Sequence, residues 1–370
     1  MTAPTIDPGF STDTLSAIFS PPARVAAMCR FEAALAHAQA DVGLVPAEVA
    51  RRIGDACDDG IDDADVVLRQ GWEDGTPVVP LLGRLREALD DEAVGWLHHG
   101  ATTQDVVDTA GVLQLQAALP AVRRDLLAVA RSLRDVVDLH RATPAEGWTF
   151  LQPAVPTTVG RRAAGWLSAV VGHAADLRVQ TAGLPVQLGG PTGTLDALGD
   201  HGPAVVEALA ARLDLVAPVL PWHTDRGVLE ELVGALQRTG RTMAHVGTDL
   251  ALLAHHGAVR MRAGGSSSMP GKRNPIDAVR AVAAAEACHG VAAVVTAGRP
   301  HELERGVGGW HAEWFALPLV VQTAGAAAEA IARATSSLEV VTDEGEAATT
   351  RTNEVGIDRV LSACDAELAR

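Results

Sequence analysis

The densest run of chemically useful side chains is Gly264-Gly265-Ser266-Ser267-Ser268-Met269-Pro270-Gly271-Lys272-Arg273-Asn274-Pro275. Glycines and prolines bracket hydroxyls, two cations and an amide, directly before a helical pattern. A flexible arm that brings Ser, Lys and Asn to a helix start suits an anion, because the first N–H groups of a helix lack partners and its dipole favours negative charge. Taken alone, a Ser/Gly loop is more often a plain linker. Two other Gly-rich connections stand out, GLPVQLGGPTGTLDALGD (183–200) and RPHELERGVGGWHAEW (299–314). Long connections in a helical protein are usually functional or unstructured. His301 and Arg305 are equally readable as substrate contacts or as parts of a solvated turn. Trp222, Trp310 and Trp314 read as packing residues before pocket walls, and Glu146 and Asp105 as structural.

These loops need elements to position them. Of 370 residues, 48% are hydrophobic and 21% charged, which excludes disorder for the bulk of the chain. Aromatics are 3%, with no Tyr, so the core must be Ala, Val and Leu, which suits helix-on-helix packing and disfavours β-rich folds. Residues 22–43 place Val25, Met28, Phe31, Leu35 and Ala38 on one stripe, an amphipathic helix, and a second helix is expected near Pro46. Breaker-poor patterns then run over 103–140, 157–184 and 225–262, each on the order of 45 Å as a helix, with a kink expected at Pro120. A fourth, 275–297, is so rich in Ala and Val that little of it should face water. The expected fold is all-α: an N-terminal helical domain over 1–98 and an elongated bundle of long helices over 99–340, oligomeric because wide apolar faces must be buried.

Charge and cysteine usage narrow the partners. Thirty basic against 46 acidic residues give 30 − 46 = −16, which disfavours an extended nucleic-acid surface but leaves a small anionic substrate open. Cys29, Cys57, Cys288 and Cys364 lie far apart with no CxxC or Cys/His cluster, so neither a disulfide framework nor a metal site is supported. The N-terminus lacks a basic stretch followed by an apolar one, and no uninterrupted apolar run reaches roughly 18–20 residues. The expectation is a cytoplasmic protein with no membrane partner.

Residues 265–275 follow Gly-Ser-Ser-x-Met-Pro-x-Lys-x-Asn-Pro, and this pattern resembles the signature loop of the fumarase/aspartase superfamily. Two more segments match it in order, His98-His99-Gly100-Ala101-Thr102-Thr103-Gln104-Asp105 and Gly147-Trp148-Thr149-Phe150-Leu151-Gln152-Pro153. With LPVQLGG (184–190), PWHTDR (221–226) and HELERGVGGWHAEW (301–314), the chain most resembles the bacterial 3-carboxy-cis,cis-muconate cycloisomerases, over roughly residues 15–345.

The resemblance implies a cofactor-independent enzyme and a homotetramer whose active sites each take the three segments from three subunits. It implies Ser266 as catalytic base, with Ser267 beside it. Lys272 and Asn274 hold a substrate carboxylate, next to Arg273, and Lys272 also serves in catalysis. Thr102, Thr103 and Gln104 bind the other end of a di- or tricarboxylate, with Gln152 nearby. His98 matches a histidine of adenylosuccinate lyases, and reads equally well as a hydrogen-bonded helix-entry residue.

Three departures matter. Phe150 stands where fumarases, adenylosuccinate lyases and argininosuccinate lyases carry a histidine, and a phenyl ring transfers no proton. Carboxymuconate cycloisomerases also lack that histidine, which fits a leaving group that is a carboxylate with ordinary pKa near 4 and needs no general acid. Gly271 replaces a residue commonly bulkier. Family members continue through a further helical domain, so residues 341–370 are expected to be its truncated helical remnant. The leading expectation is conversion of 3-carboxy-cis,cis-muconate to 4-carboxymuconolactone, in aromatic-acid breakdown, through an aci-carboxylate-like state. The alternatives are a β-eliminating lyase releasing fumarate from a substituted succinate, adenylosuccinate-like or nitrosuccinate-like, and a catalytically silent helical scaffold.

Overall fold

The computed structural model describes residues 6–298, 301–341 and 351–370. Arg299 and Pro300 of the third Gly-rich loop and residues 342–350 of the expected remnant lie outside the described residues. The fold is all-α, as expected. In order come α1 (Asp13–Ile18), α2 (Pro21–Asp41), α3 (Ala47–Asp58), α4 (Ala64–Glu73), α5 (Val78–Glu87), α6 (Asp91–Trp96), α7 (Thr103–Leu139), α8 (Val159–Ala182), α9 (Gly202–Leu213), α10 (Gly227–His255), α11 (Ile276–Thr296), α12 (Gly309–Ser336) and α13 (Arg351–Leu368). Short antiparallel ribbons pair β1 (Pro144–Ala145) with β4 (Thr157–Thr158), β2 (Trp148–Thr149) with β3 (Gln152–Pro153), and β5 (Val259–Arg260) with β6 (Glu339–Val340).

Local chemistry sets the boundaries. Ser20 caps α2 by accepting from Ala23 N at 3.4 Å, with Pro21 in the first turn where a missing N–H costs nothing, and all five stripe residues of α2 are buried. The Asp105 carboxylate accepts from Thr102 N at 2.9 Å and fixes the start of α7. Helix α7 continues through Pro120 and, at 37 residues, is about 55 Å long. Helix α10 stops at His255, short of the expected Arg262, because Gly257 turns left-handed (φ 75°) and Val259–Arg260 pairs with β6 instead.

Helix directions follow from the contacts between their ends. Arg226, just before α10, bonds Asp108 in α7 and Glu313 in α12, so these three helices start at one end of the bundle. Asp277, in the first turn of α11, pairs with Arg262 and with Arg333 in the last turn of α12, so α11 runs back, and Gly160 N bonding the His140 carbonyl places the start of α8 at that far end too. One hydrophobic core fills this bundle. A second joins α2–α6 to the first turns of α7, to the 184–198 segment and to α9.

The sequence pattern did not single out α12, a helix apolar on nearly every side and interrupted by Pro318. By length and composition alone α11 and α12, each with mean hydropathy 1.5, are long and apolar enough to cross a membrane, although no uninterrupted apolar run was seen in the sequence. For α12, 72% of that apolar window is buried inside the bundle, the mark of a core helix. The expectation that α11 hides from water is not met within one chain: it packs on α10 and α12, and its outer face leaves Val279 at 51% and Val294 at 37% exposure.

Candidate active site

At the end where α7 begins, the chain invests several buried charges. Asp105, fully buried, receives Gly189 N at 3.0 Å and Gly190 N at 3.0 Å besides Thr102 N, and pairs with His223 Nε2 at 2.6 Å. The close approach requires glycine, since a Cβ on Gly189 would lie 2.7 Å from Pro221 and 2.8 Å from His223. One turn along, the Arg226 guanidinium lies between Asp108 (2.7 and 3.0 Å) and Glu313 (2.5 Å to the nearer oxygen), over the Trp222 ring at 4.7 Å. Burial works against its charge, but the two carboxylates prevail and raise its pKa. Trp310 Nε1 completes the set by donating to Asp108 at 2.9 Å. A guanidinium bonded to carboxylates on both sides holds α7, α10 and α12 in register.

On this frame Thr102 and Thr103 present their hydroxyls to Arg305, which donates to them at 2.9 and 3.3 Å and to the Pro191 carbonyl at 3.2 Å. Arg305, one of the two residues readable either way, thus meets the candidate hydroxyls directly. His301 is instead turned inward, between the His223 carbonyl and Glu313. His98 sits in the left-handed region (φ 62°), strained for a non-glycine residue, with Nδ1 2.7 Å from Glu32 Oε1. Burial disfavours the charged ring, but the adjacent Glu32 carboxylate outweighs it and the His98 pKa is raised. Glu32, with a fully buried carboxylate whose second oxygen has no hydrogen-bond partner among the described residues, had no sequence signal to reveal it. Gln104 departs from the expected ligand trio. It is fully buried, with its amide donating to Asp108 at 3.1 Å and to the His223 carbonyl at 2.8 Å, because its place one step into α7 turns it toward the core.

The other two segments lie at the opposite end. The neck of the 262–275 loop is closed by an antiparallel bridge between Gly264 and Asn274, and Asn274 Nδ2 donates to the Gly265 carbonyl at 3.0 Å. Inside it, Ser266 Oγ accepts Met269 N at 3.1 Å and Ser268 N at 3.5 Å. Two backbone donors on one hydroxyl oxygen favour its anionic form. Gly271 has φ 86°, so the bulkier residue common at this place in relatives would be strained here. Ser267, Lys272 and Arg273 are exposed, and Lys272 is the only lysine in the sequence.

The 147–153 segment is a two-residue hairpin. Thr149 pairs with Gln152, and Phe150 (φ 51°) and Leu151 (φ 58°) form the turn. Two positive φ values are what such turns demand, usually of Asn and Gly, so Phe-Leu carries strain, and Phe150 is wholly exposed. Gln152 is exposed, and among the described residues its amide donates only to the neighbouring Leu151 carbonyl. Trp148 stacks on His256 at 4.7 Å, and beside the hairpin opens a cavity of about 710 Å³ bordered by Phe150, Arg161, Arg162, His245 and His256.

Thus one chain brings Ser266, Ser267, Lys272, Arg273 and Asn274 together in one loop, sets Gln152 at the same end, and leaves Thr102, Thr103 and His98 a helix length away. An ester- or lactone-sized substrate cannot reach both ends of one chain. What the arrangement offers is two separate polar clusters: a hydroxyl-and-amine arm at one end and a Thr/Thr/Arg cluster beside His98 at the other.

A five-helix bundle whose loops carry these segments defines a class, and comparison with known proteins gives the same one. The family profile described as Lyase matches residues 9–296. The chain belongs to this lyase family, the fumarase/aspartase superfamily, and is an enzyme of it. The 3-carboxy-cis,cis-muconate cycloisomerase of Pseudomonas aeruginosa is 40% identical over 337 residues, covering 88% of this chain and 73% of that protein. The nitrosuccinate lyase of Streptomyces davaonensis is 35% identical, covering 89% and 73%. Among solved structures, the 3-carboxy-cis,cis-muconate lactonizing enzyme of Pseudomonas putida superposes with a TM-score of 0.84 at 34% identity, over 95% of this chain and 78% of that one.

Proposed function

We propose that this chain converts 3-carboxy-cis,cis-muconate to 4-carboxymuconolactone. Several cycloisomerases at 34–40% identity support this activity over the alternatives. In the lactone-forming direction a substrate carboxylate, already ionised at neutral pH, attacks the double bond as its own nucleophile. The carbon next to another carboxylate gains electron density, passes through an aci-carboxylate-like state, and takes a proton from Ser266. In reverse, Ser266 as alkoxide removes that proton and a carboxylate departs unaided.

The observation that carries the role of Ser266 is its Oγ held by two backbone N–H groups within a closed loop. Lys272 and Asn274, with Arg273 and Ser267 close by, hold the carboxylate on which charge develops, where fixed donors contribute most. Thr102 and Thr103, aligned by Arg305, bind a second carboxylate, with Gln152 at the rim and His98 oriented by its contact with Glu32, whose carboxylate raises the ring's pKa. Gln104 orders this cluster from beneath. No step calls for a proton donor at Phe150.

Because the two clusters lie at opposite ends, a complete site takes segments from several subunits, and the exposed apolar face of α11 is the surface on which a homotetramer would close. The reading places the enzyme in the cytoplasm, acting on a small polycarboxylate, with no membrane or nucleic-acid partner.

The experiment is to mix the purified chain with 3-carboxy-cis,cis-muconate and follow loss of diene absorbance, with a light-scattering mass in the same buffer. Turnover by a species of four chains supports the whole reading. Fumarate release from substituted succinates without diene loss would assign it instead to β-elimination, as in the nitrosuccinate lyase. No turnover of either kind would leave the silent scaffold.

A further inference from the structure

Away from every signature segment, the outer flank of α7 and α8 carries a cavity of about 670 Å³ bordered by Arg123, Arg124, Arg131, Arg178 and Arg370. Five guanidinium groups around one hollow run against the field of a chain with net charge −16. They come from three separate elements, so no single helix pattern places them together.

Nearby carboxylates do not match them in number. Glu367 of α13 is shared by three, at 2.8 Å from Arg123, 3.3 Å from Arg178 and 3.8 Å from Arg370. Asp125 lies 3.1 Å from Arg124, and Asp214 stands on the rim. Among the described residues Arg131 has no ion pair, and the buried Nε of Arg123 has no hydrogen-bond partner. Each guanidinium offers five N–H donors in a planar fork, and a buried donor without an acceptor is costly. The hollow therefore holds more guanidinium donors than side-chain acceptors, with Arg123 the buried one among them.

We infer that this cavity is a binding site for a small multivalent oxyanion, whose carboxylate or phosphoryl oxygens take the guanidinium donors that Glu367 does not. Forked guanidinium bonding to such oxygens is favourable for both chemistries. A lone monovalent ion would engage only a fraction of groups spread over three elements. Since Arg370 follows directly on α13, an occupied site would tie the end of that helix to α7 and α8 and raise the stability of the folded chain by mass action. This inference is independent of the reaction proposed above.

The test is calorimetric titration of pyrophosphate, and separately of citrate, into the full chain at constant 0.15 M NaCl. The expected result for at least one of them is saturation at one site per chain. Arg124 and Arg131 are exposed, so the Arg124→Gln/Arg131→Gln double variant should fold normally by circular dichroism and bind at least tenfold more weakly. The same loss on Arg124→Gln/Arg131→Gln should appear in a Lys272→Ala background, which separates the site from the 262–275 loop. Saturation by pyrophosphate alone, citrate alone or both identifies phosphate, carboxylate or shared recognition. Failure of both probes to saturate, or equal binding by the double variant, overturns the site.

Discussion

The two ends of the bundle use polar groups in opposite ways. Where α7, α10 and α12 begin, carboxylates, a guanidinium and a histidine are sealed from water and bonded on every side: Asp105 with His223, and Arg226 with Asp108 and Glu313. At the far end the arm and the hairpin are exposed, closed by backbone bridges and by turns with positive φ. A buried ion pair adds little net stability but is expensive to break, so it fixes geometry. A backbone-tied loop can shift at small cost. The contrast teaches that polar groups fix geometry at one end and stay accessible at the other, which is what the proposed assembly of a site between copies would require.

Substitutions at each end should separate these roles. Ser266→Ala, in the arm, should lower kcat about 1000-fold, the scale of a lost general base, with unchanged thermal stability because the side chain is only partly buried. Full activity in the diene assay would remove Ser266 from its assigned role. Arg226→Met, in the rigid end, should cost about 3–5 kcal/mol in urea denaturation because Asp108 and Glu313 would be left buried and unpaired. A loss below about 1 kcal/mol would mean that this end is not the anchor.

A smaller effect is expected in the hairpin. Phe150→Gly relieves a left-handed non-glycine residue and should raise stability by about 1 kcal/mol. A fall in stability would show that the exposed ring is packed by another subunit. The smallest effect concerns His98. Its folded pKa is raised, so the Glu32 pairing stabilises fully below the unfolded value of about 6.5 and is lost as pH rises through the folded value. The Tm difference between wild type and His98→Gln should be largest near pH 5 and shrink toward pH 9. A difference that grows with pH would contradict the pairing.

Much of the fold was legible because α2 carries an apolar stripe, α7 and α8 are long runs poor in breakers, and α11 stands out by its Ala and Val content. Helix α12 was not, since a helix buried on all sides has no polar face to mark its period. The arm was legible as a run of adjacent residues, whereas Glu32 and His98 are separated by 66 positions and meet only after folding. Gln104 shows the reverse case: neighbours in sequence, Thr103 and Gln104 point to different surroundings because one helical step turns the side chain by about 100°. His223 and Arg226 lay within a segment noted for its resemblance, yet their partners on α7 and α12 could be found only in three dimensions.

That Lys272 alone among the side chains bears a primary amine has a practical consequence. An acylating dye or isotopic methyl group delivered to lysine would mark one point of the arm and, apart from the chain's α-amine, nothing else. The rate at which that mark appears on the exposed amine, with and without a bound polycarboxylate, would report how far a ligand shields the arm.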